Sequence, residues 1–223
     1  AKFPRLMRTA LADNCLDCHE KIREHMEKAP IKHGAMMAEK QCANCHAAHA
    51  SDQKHLVRER TDRMCLSCHD KAIKTPDGRE IANMKPVLTE SKFLHGPIRE
   101  GDCSDCHGPH GSKHASLLDH EFPDTFYTSF ELAKYELCFR CHEASMVLEE
   151  KSGKTGFRDG ERNLHFVHVN RSEKGRTCRT CHEIHGSDLP RHIASSVPFE
   201  GSNWAMPRWP PPWPANTSSP PTT

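Results

Sequence analysis

The chain has 223 residues, with 31 Lys and Arg against 30 Asp and Glu, so it is close to neutral and offers no basic surface for nucleic acid. Apolar residues make up 35%, aromatics 6%, and mean hydropathy is −0.76, too little to fill an ordinary core for a chain of this length. No stretch approaches the roughly 18 consecutive apolar residues of a membrane span.

The sequence opens AKFPRL, which suits a mature end left by cleavage at a small residue during export. Residues 5–27 are predicted helical, with a break allowed at Asp13-Asn14, and carry Cys15, Cys18 and His19. HGAMMAEKQCANCHAAHAS (33–51) follows with Cys42, Cys45 and His46, then CLSCHD with Cys65, Cys68 and His69. Segment 74–92, containing TPDGRE, reads as turns and loop. HGPIREGDCSDCHGPHGS (95–112) holds Cys103, Cys106 and His107. A second helix is predicted over 127–150, including Cys138, Cys141 and His142, and 151–163 reads as loop. HVNRSEKGRTCRTCHEIHGS (168–187) holds Cys178, Cys181 and His182. Strand signals are weak, so the expected fold is mostly coil with short α-helices and negligible β.

The six C-x-x-C-H motifs use all 12 cysteines. This is the pattern of covalent c-type haem attachment: two thiols add to the haem vinyl groups, and the adjacent imidazole is held under the iron. A zinc ribbon has no reason to place histidine after every second cysteine, and a disulfide framework has no reason to repeat the spacing. Six covalently bound haem c groups are therefore expected, with His19, His46, His69, His107, His142 and His182 as proximal iron ligands. The porphyrins would make up most of the core, and the haem-free chain should be largely unfolded. Haem is attached outside the cytoplasm, so the protein is expected at the cell surface or outside the cell, or alternatively in the periplasm.

Three motifs are doubled to C-x-x-C-H-x-x-H and close on a small polar residue, and three are simple. They alternate simple, doubled, simple, doubled, simple, doubled, an internal repeat holding two haems per unit. Each doubled motif is also preceded by a histidine 8 to 10 residues before its first cysteine.

Over residues 11–192 the chain resembles the paired-C-x-x-C-H multihaem cytochromes, most specifically in FLHGPIREGDCSDCHGPHGSKHASLL. That resemblance implies an electron carrier of the periplasm or cell surface, belonging to porin–cytochrome conduits or extracellular cytochrome filaments (nanowires).

A histidine three residues after its own proximal histidine cannot reach round the porphyrin to the opposite face, so it should ligate a neighbouring iron. The repeat offers six distal ligands for six haems: His49, His110 and His185 after the doubled motifs, and His33, His95 and His168 before them. His168 is preferred to His165 because its spacing to Cys178 fits the other two copies better. His25, His55, His114, His120, His165 and His192 are then spare. Met36, Met37 and Met146 do not recur in register and are read as packing against porphyrin. If His49 and His110 reach back, all sites close within one chain. If they reach forward, His185 would ligate the first haem of another copy, an open head-to-tail contact that builds a filament.

Two histidine ligands give a lower potential than Met/His, and with both axial positions filled no iron is left for a substrate. The expected function is electron conduction along a linear array of bis-histidine haems, with no catalytic residues. The expected partners are other copies of the chain and redox donors and acceptors, including extracellular minerals. A soluble periplasmic or porin-associated carrier is the alternative, and a multihaem redox enzyme a more distant one. Residues 1–195 form the expected haem domain. Residues 196–223 form a tail with all three Trp and eight of the 16 Pro, expected to dock through Trp204, Trp209 and Trp213 on its own or a neighbouring chain. Asn170 and Asn216 stand in glycosylation triplets.

Overall fold

The computed structural model describes residues 10–199 and 201–206. Trp209, Trp213, Asn216 and most of the Pro-rich tail lie outside the described residues.

Local structure is set by the motifs themselves. Five of them form a single hydrogen-bonded turn in which the histidine N–H donates to the carbonyl of the first cysteine: His19 to Cys15 (3.0 Å), His46 to Cys42 (2.9 Å), His107 to Cys103 (3.1 Å), His142 to Cys138 (3.0 Å) and His182 to Cys178 (3.0 Å). The remaining motif ends the helix Thr61–His69. Residues three and four apart share one face of such a turn, so both sulfurs and the imidazole are presented together. This explains the spacing.

Helices are short. Residues 5–27, expected as one helix with a possible break at Asp13-Asn14, give Leu11–Leu16 and Glu20–Lys28. The break falls instead at Asp17–His19, inside the first motif. The region 127–150 is also divided, into a strand Tyr127–Thr128, a 3₁₀ turn Leu132–Tyr135, and helices Glu136–Phe139 and Ser145–Leu148. The helices before residue 130 bury no residue at all.

Strands occur as antiparallel pairs of two residues, plus one four-residue hairpin joining Ser196–Phe199 to Ser202–Ala205. Of the expected loops, 74–92 contains a hairpin turned at Gly78 and a helix Lys85–Glu90, and 151–163 contains a hairpin turned at Gly160. The fold is mostly coil with short helices, as the sequence predicts.

Two cross-repeat contacts organise the rest. Ile31 exchanges both backbone bonds with Ser112, while His33 Nδ1 donates to Pro109 O and His25 Nε2 to Gly111 O. One repeat later, Phe93–Leu94 pairs with Gly186–Ser187, and His95 N–H donates to His185 O. The segment preceding each of the first two doubled motifs thus docks on the segment following the next one. Gly111 lies at the first of these contacts with φ +122°, and a Cβ there would sit 2.9 Å from Ala29 Cβ.

The buried apolar side chains among the described residues are few: Ala29, Tyr135, Val147, Val169, Ala194 and Val197. Tyr135, Val147 and Val169 form the one compact cluster, with Phe122, Phe130, Phe139, Met146 and Cys178 against it. Outside this cluster the described residues bury too few apolar side chains to build a core of their own.

Candidate haem-binding sites

Five pairs of imidazoles face each other across nearly constant gaps. His33 and His69 have ring centres 6.3 Å apart and planes inclined by 12°. His46 and His110 are 6.1 Å apart at 15°, and His95 and His142 are 6.0 Å apart at 13°. His107 and His185 are 6.2 Å apart at 15°, and His165 and His182 are 6.3 Å apart at 12°. Every pair joins a C-x-x-C-H histidine to a histidine outside the motifs.

The spacing tests whether these residues fit a haem iron. A metal-bound imidazole nitrogen lies about 2.0 Å from the metal and about 1.1 Å from its ring centre, so two imidazoles on opposite sides of one iron have centres about 6.2 Å apart. All five pairs lie within 0.2 Å of that value. Among the described residues no group of three or more metal-ligating side chains converges as a zinc site would. The residues fit haem.

Hydrogen bonds preset the imidazoles. In each doubled motif the histidine donates from Nδ1 to the carbonyl nine residues on: His46 to His55 (2.9 Å), His107 to Ser116 (2.9 Å) and His182 to Arg191 (3.0 Å). Such a bond fixes the tautomer, aims Nε2 at the metal and makes it a better donor. The accepting carbonyls sit in left-handed turns, His55-Leu56, Ser116-Leu117 and Arg191-His192, a conformation costing roughly 1–2 kcal/mol per residue. Each turn is clamped by a serine, Ser51, Ser112 or Ser187, whose hydroxyl donates to the carbonyl of Val57, Leu118 or Ile193. The same hydroxyl accepts from a backbone N–H two residues on. The small polar residue closing each doubled motif is therefore the clamp.

All twelve cysteines are free of disulfides. Their contacts run in sequence order. Cys15 and Cys42 are hydrogen-bond partners, as are Cys65 with Cys103 and Cys138 with Cys178. Cys45 and Cys68 interact electrostatically, and so do Cys106 and Cys141. Bonding to Cys103, then burial, pushes the Cys65 thiol up; bonding to Cys178, then burial, does the same to Cys138. Each motif thus neighbours the next along the chain.

Burial favours the neutral form, the one a metal needs, in seven of the facing imidazoles. It lowers His165 to about 4, helped by His182, and His185 to about 4, helped by His107. His33, His69, His95, His110 and His182 are lowered chiefly by burial as well.

Of the six distal histidines expected from the repeat, His33, His95, His110 and His185 face a motif histidine. His168 does not: His165 stands opposite His182, while His168 packs its ring on Phe157 at 5.5 Å and donates from Nδ1 to Leu164 O. His165 and His168 lie one turn apart on the helix Leu164–Val169. That helix is anchored by Asn163, whose side chain accepts from His165 N–H and donates to Met146 O and Glu149 O. Repeat register favours His168 over its competitor His165; the signal that points to His165 is the i, i+3 pair itself. Among the described residues His19 and His49 belong to none of the five facing pairs. His192 sets its ring edge against His95 at 5.5 Å, and His120 meets Asp119 and Glu136.

No helix among the described residues is long and apolar enough to cross a membrane. The family model for the doubled CXXCH motif matches residues 33–74 and 95–147. The third doubled motif lies outside both stretches but repeats their bonds. The multiheme cytochrome MtrA of Shewanella baltica (strain OS185) is 28% identical over 130 residues, covering 57% of this chain and 31% of that protein. The chain thus spans less than a third of that relative's length. The motifs and facing imidazoles fit covalently bound haem, and the chain is similar over these stretches to the doubled-CXXCH family model and to a multiheme cytochrome.

Proposed function

We propose that the chain binds six haem c groups in a single row and conducts electrons along it as the subunit of an extracellular filament. The observation that carries this reading is the set of five facing imidazole pairs, each near the separation two ligands of one iron require. Each bound haem supplies an iron that accepts and releases one electron. The chain does the rest. Twelve cysteines anchor the groups irreversibly. Nδ1 bonds from His46, His107 and His182 hold three of the ligating rings in fixed orientation. Paired imidazoles would hold each iron between two nitrogen donors, which favours a low potential.

Four pairs span two repeats: His33 with His69, His46 with His110, His95 with His142, and His107 with His185. An iron held at each of these sites would therefore tie two repeats together. The thiol neighbours Cys15–Cys42, Cys45–Cys68, Cys65–Cys103, Cys106–Cys141 and Cys138–Cys178 support the row order. On this reading the distal ligands are His33, His95, His110, His165 and His185, the protein is exported, and its partners are further copies and redox proteins or minerals.

Mass measurement after acid extraction of non-covalent haem should give six haems per chain, and a low-potential donor should reduce all of them rapidly. Negatively stained protein should show fibres. Fewer than six covalent haems would overturn the count, and a monodisperse monomer at high concentration would overturn the filament.

A further inference from the structure

Three cysteine pairs each join the two motifs of one repeat: Cys15 with Cys42, Cys65 with Cys103, and Cys138 with Cys178. One position recurs beside all three junctions. It stands three residues before the first cysteine of the simple motif, one turn earlier, and is held by Ala12, Asp62 and Tyr135. Each of these residues touches the start of the doubled motif that follows. Ala12 N–H donates to the Gln41 side chain at 3.1 Å, next to Cys42. Asp62 N–H donates to Gly101 O at 3.1 Å, and a Cβ on Gly101 would stand 3.2 Å from the Asp62 carboxylate carbon, two residues before Cys103. Tyr135 lies in the cluster against which Cys178 packs.

The position is constant and its chemistry is not. The Ala12 side chain has no polar group. Bonding to Arg60 holds the Asp62 carboxyl below the usual range, so it is ionised. Asp62 is the more buried of that pair, 19% exposed against 57%, and acts electrostatically on both Cys65 and Cys103. Tyr135 is fully buried, and its hydroxyl has no hydrogen-bond partner among the described residues. A buried hydroxyl needs a partner. Burial, then Cys178 and Cys138, push it up to about 12, so it keeps its proton. Those sulfurs mark the vinyl edge of a haem, away from its propionates, which leaves a thioether sulfur as the acceptor. A negative charge beside a haem favours the ferric form, and a hydrogen bond drawing density from its sulfur favours the ferrous form. We propose that this position sets the relative potentials of the two haems of its repeat: the Asp62 carboxylate lowers the second pair, the Tyr135 hydroxyl raises the third, and Ala12 leaves the first unbiased. This rests on the reading of the six motifs as covalent haem sites and holds within one chain, whether or not chains assemble. An electron passing from the second pair to the third then runs downhill. Asp102 also acts on Cys103, so the role of Asp62 is read as a difference at that one residue.

The test is a spectroelectrochemical titration of holoprotein, with covalent haem counted by mass and spin state read on each variant. Asp62→Asn should move two haems to higher potential and leave four in place. The expected change is about tenfold in their ferrous-to-ferric ratio at a fixed potential, or about 59 mV for a one-electron couple. Tyr135→Phe should move the haem on Cys178 to lower potential. Ala12→Asp should lower two haems that wild type leaves unbiased. None of the three touches an iron ligand, so all should keep six haems and the wild-type spin state. Unchanged potentials in Asp62→Asn and Ala12→Asp overturn the proposal and leave the haem row standing. A shift spread evenly over all six haems overturns the assignment to one pair. Loss of a haem or an upward shift in Tyr135→Phe overturns the role given to its hydroxyl. Fewer than six covalent haems in wild type overturns the six-haem reading and this assignment with it.

Discussion

Removal of one imidazole discriminates between the two histidines of the helix Leu164–Val169. In dilute holoprotein, His165→Ala should leave the iron of the Cys178–Cys181 site one ligand short and add about one high-spin iron per chain. His168→Ala should add none. The neighbouring histidine cannot rescue either loss. His165 and His168 are three residues apart, about 4.5 Å along a helix axis, and a slide of that size would break the three Asn163 bonds. Asn163 is 1% exposed, so its buried amide would lose both acceptors, at about 1–3 kcal/mol. Resonance Raman spin-state markers on protein diluted below any assembly read the shares directly. An added high-spin iron in His168→Ala, with His165→Ala unchanged, would refute the pairing of His165 with His182.

Three further outcomes follow from the same contacts. Gly111→Val should push the 109–112 segment off Ala29 and Ile31, withdraw His110 from His46 and add one high-spin iron; an unchanged spectrum would show that this docking does not set the pair. Ser112→Ala removes a 5%-exposed hydroxyl that both donates and accepts, and should cost about 1–3 kcal/mol in denaturant titration. Haem-free protein should lack native helix content by circular dichroism, because the apolar side chains it buries form only one small cluster; a native-like spectrum would show that the polypeptide builds its own core.

The binding chemistry was legible in the sequence because each motif is a local object. Cys15, Cys18 and His19 fall on one turn by spacing alone, and the alternation of simple and doubled motifs named four histidines that the structure sets opposite a motif imidazole. The pairing itself was not legible. His110 reaches His46 across 64 residues only because Ile31 bonds Ser112, and nothing local announces that contact. His165 and His168 were indistinguishable in kind, since three residues make one turn of the same helix; the anchoring of Asn163, a tertiary contact, decides which ring meets His182. Helix ends were misplaced for a related reason. The 127–150 stretch has helical composition throughout, but its Cys138–His142 turn interrupts the run in favour of the motif geometry.

Low-temperature electron paramagnetic resonance with spin quantitation, on dilute and fully oxidised holoprotein, tests the facing imidazole pairs most directly. At least five low-spin bis-imidazole irons per chain is the expected result. Several high-spin or methionine-ligated irons per chain would contradict it.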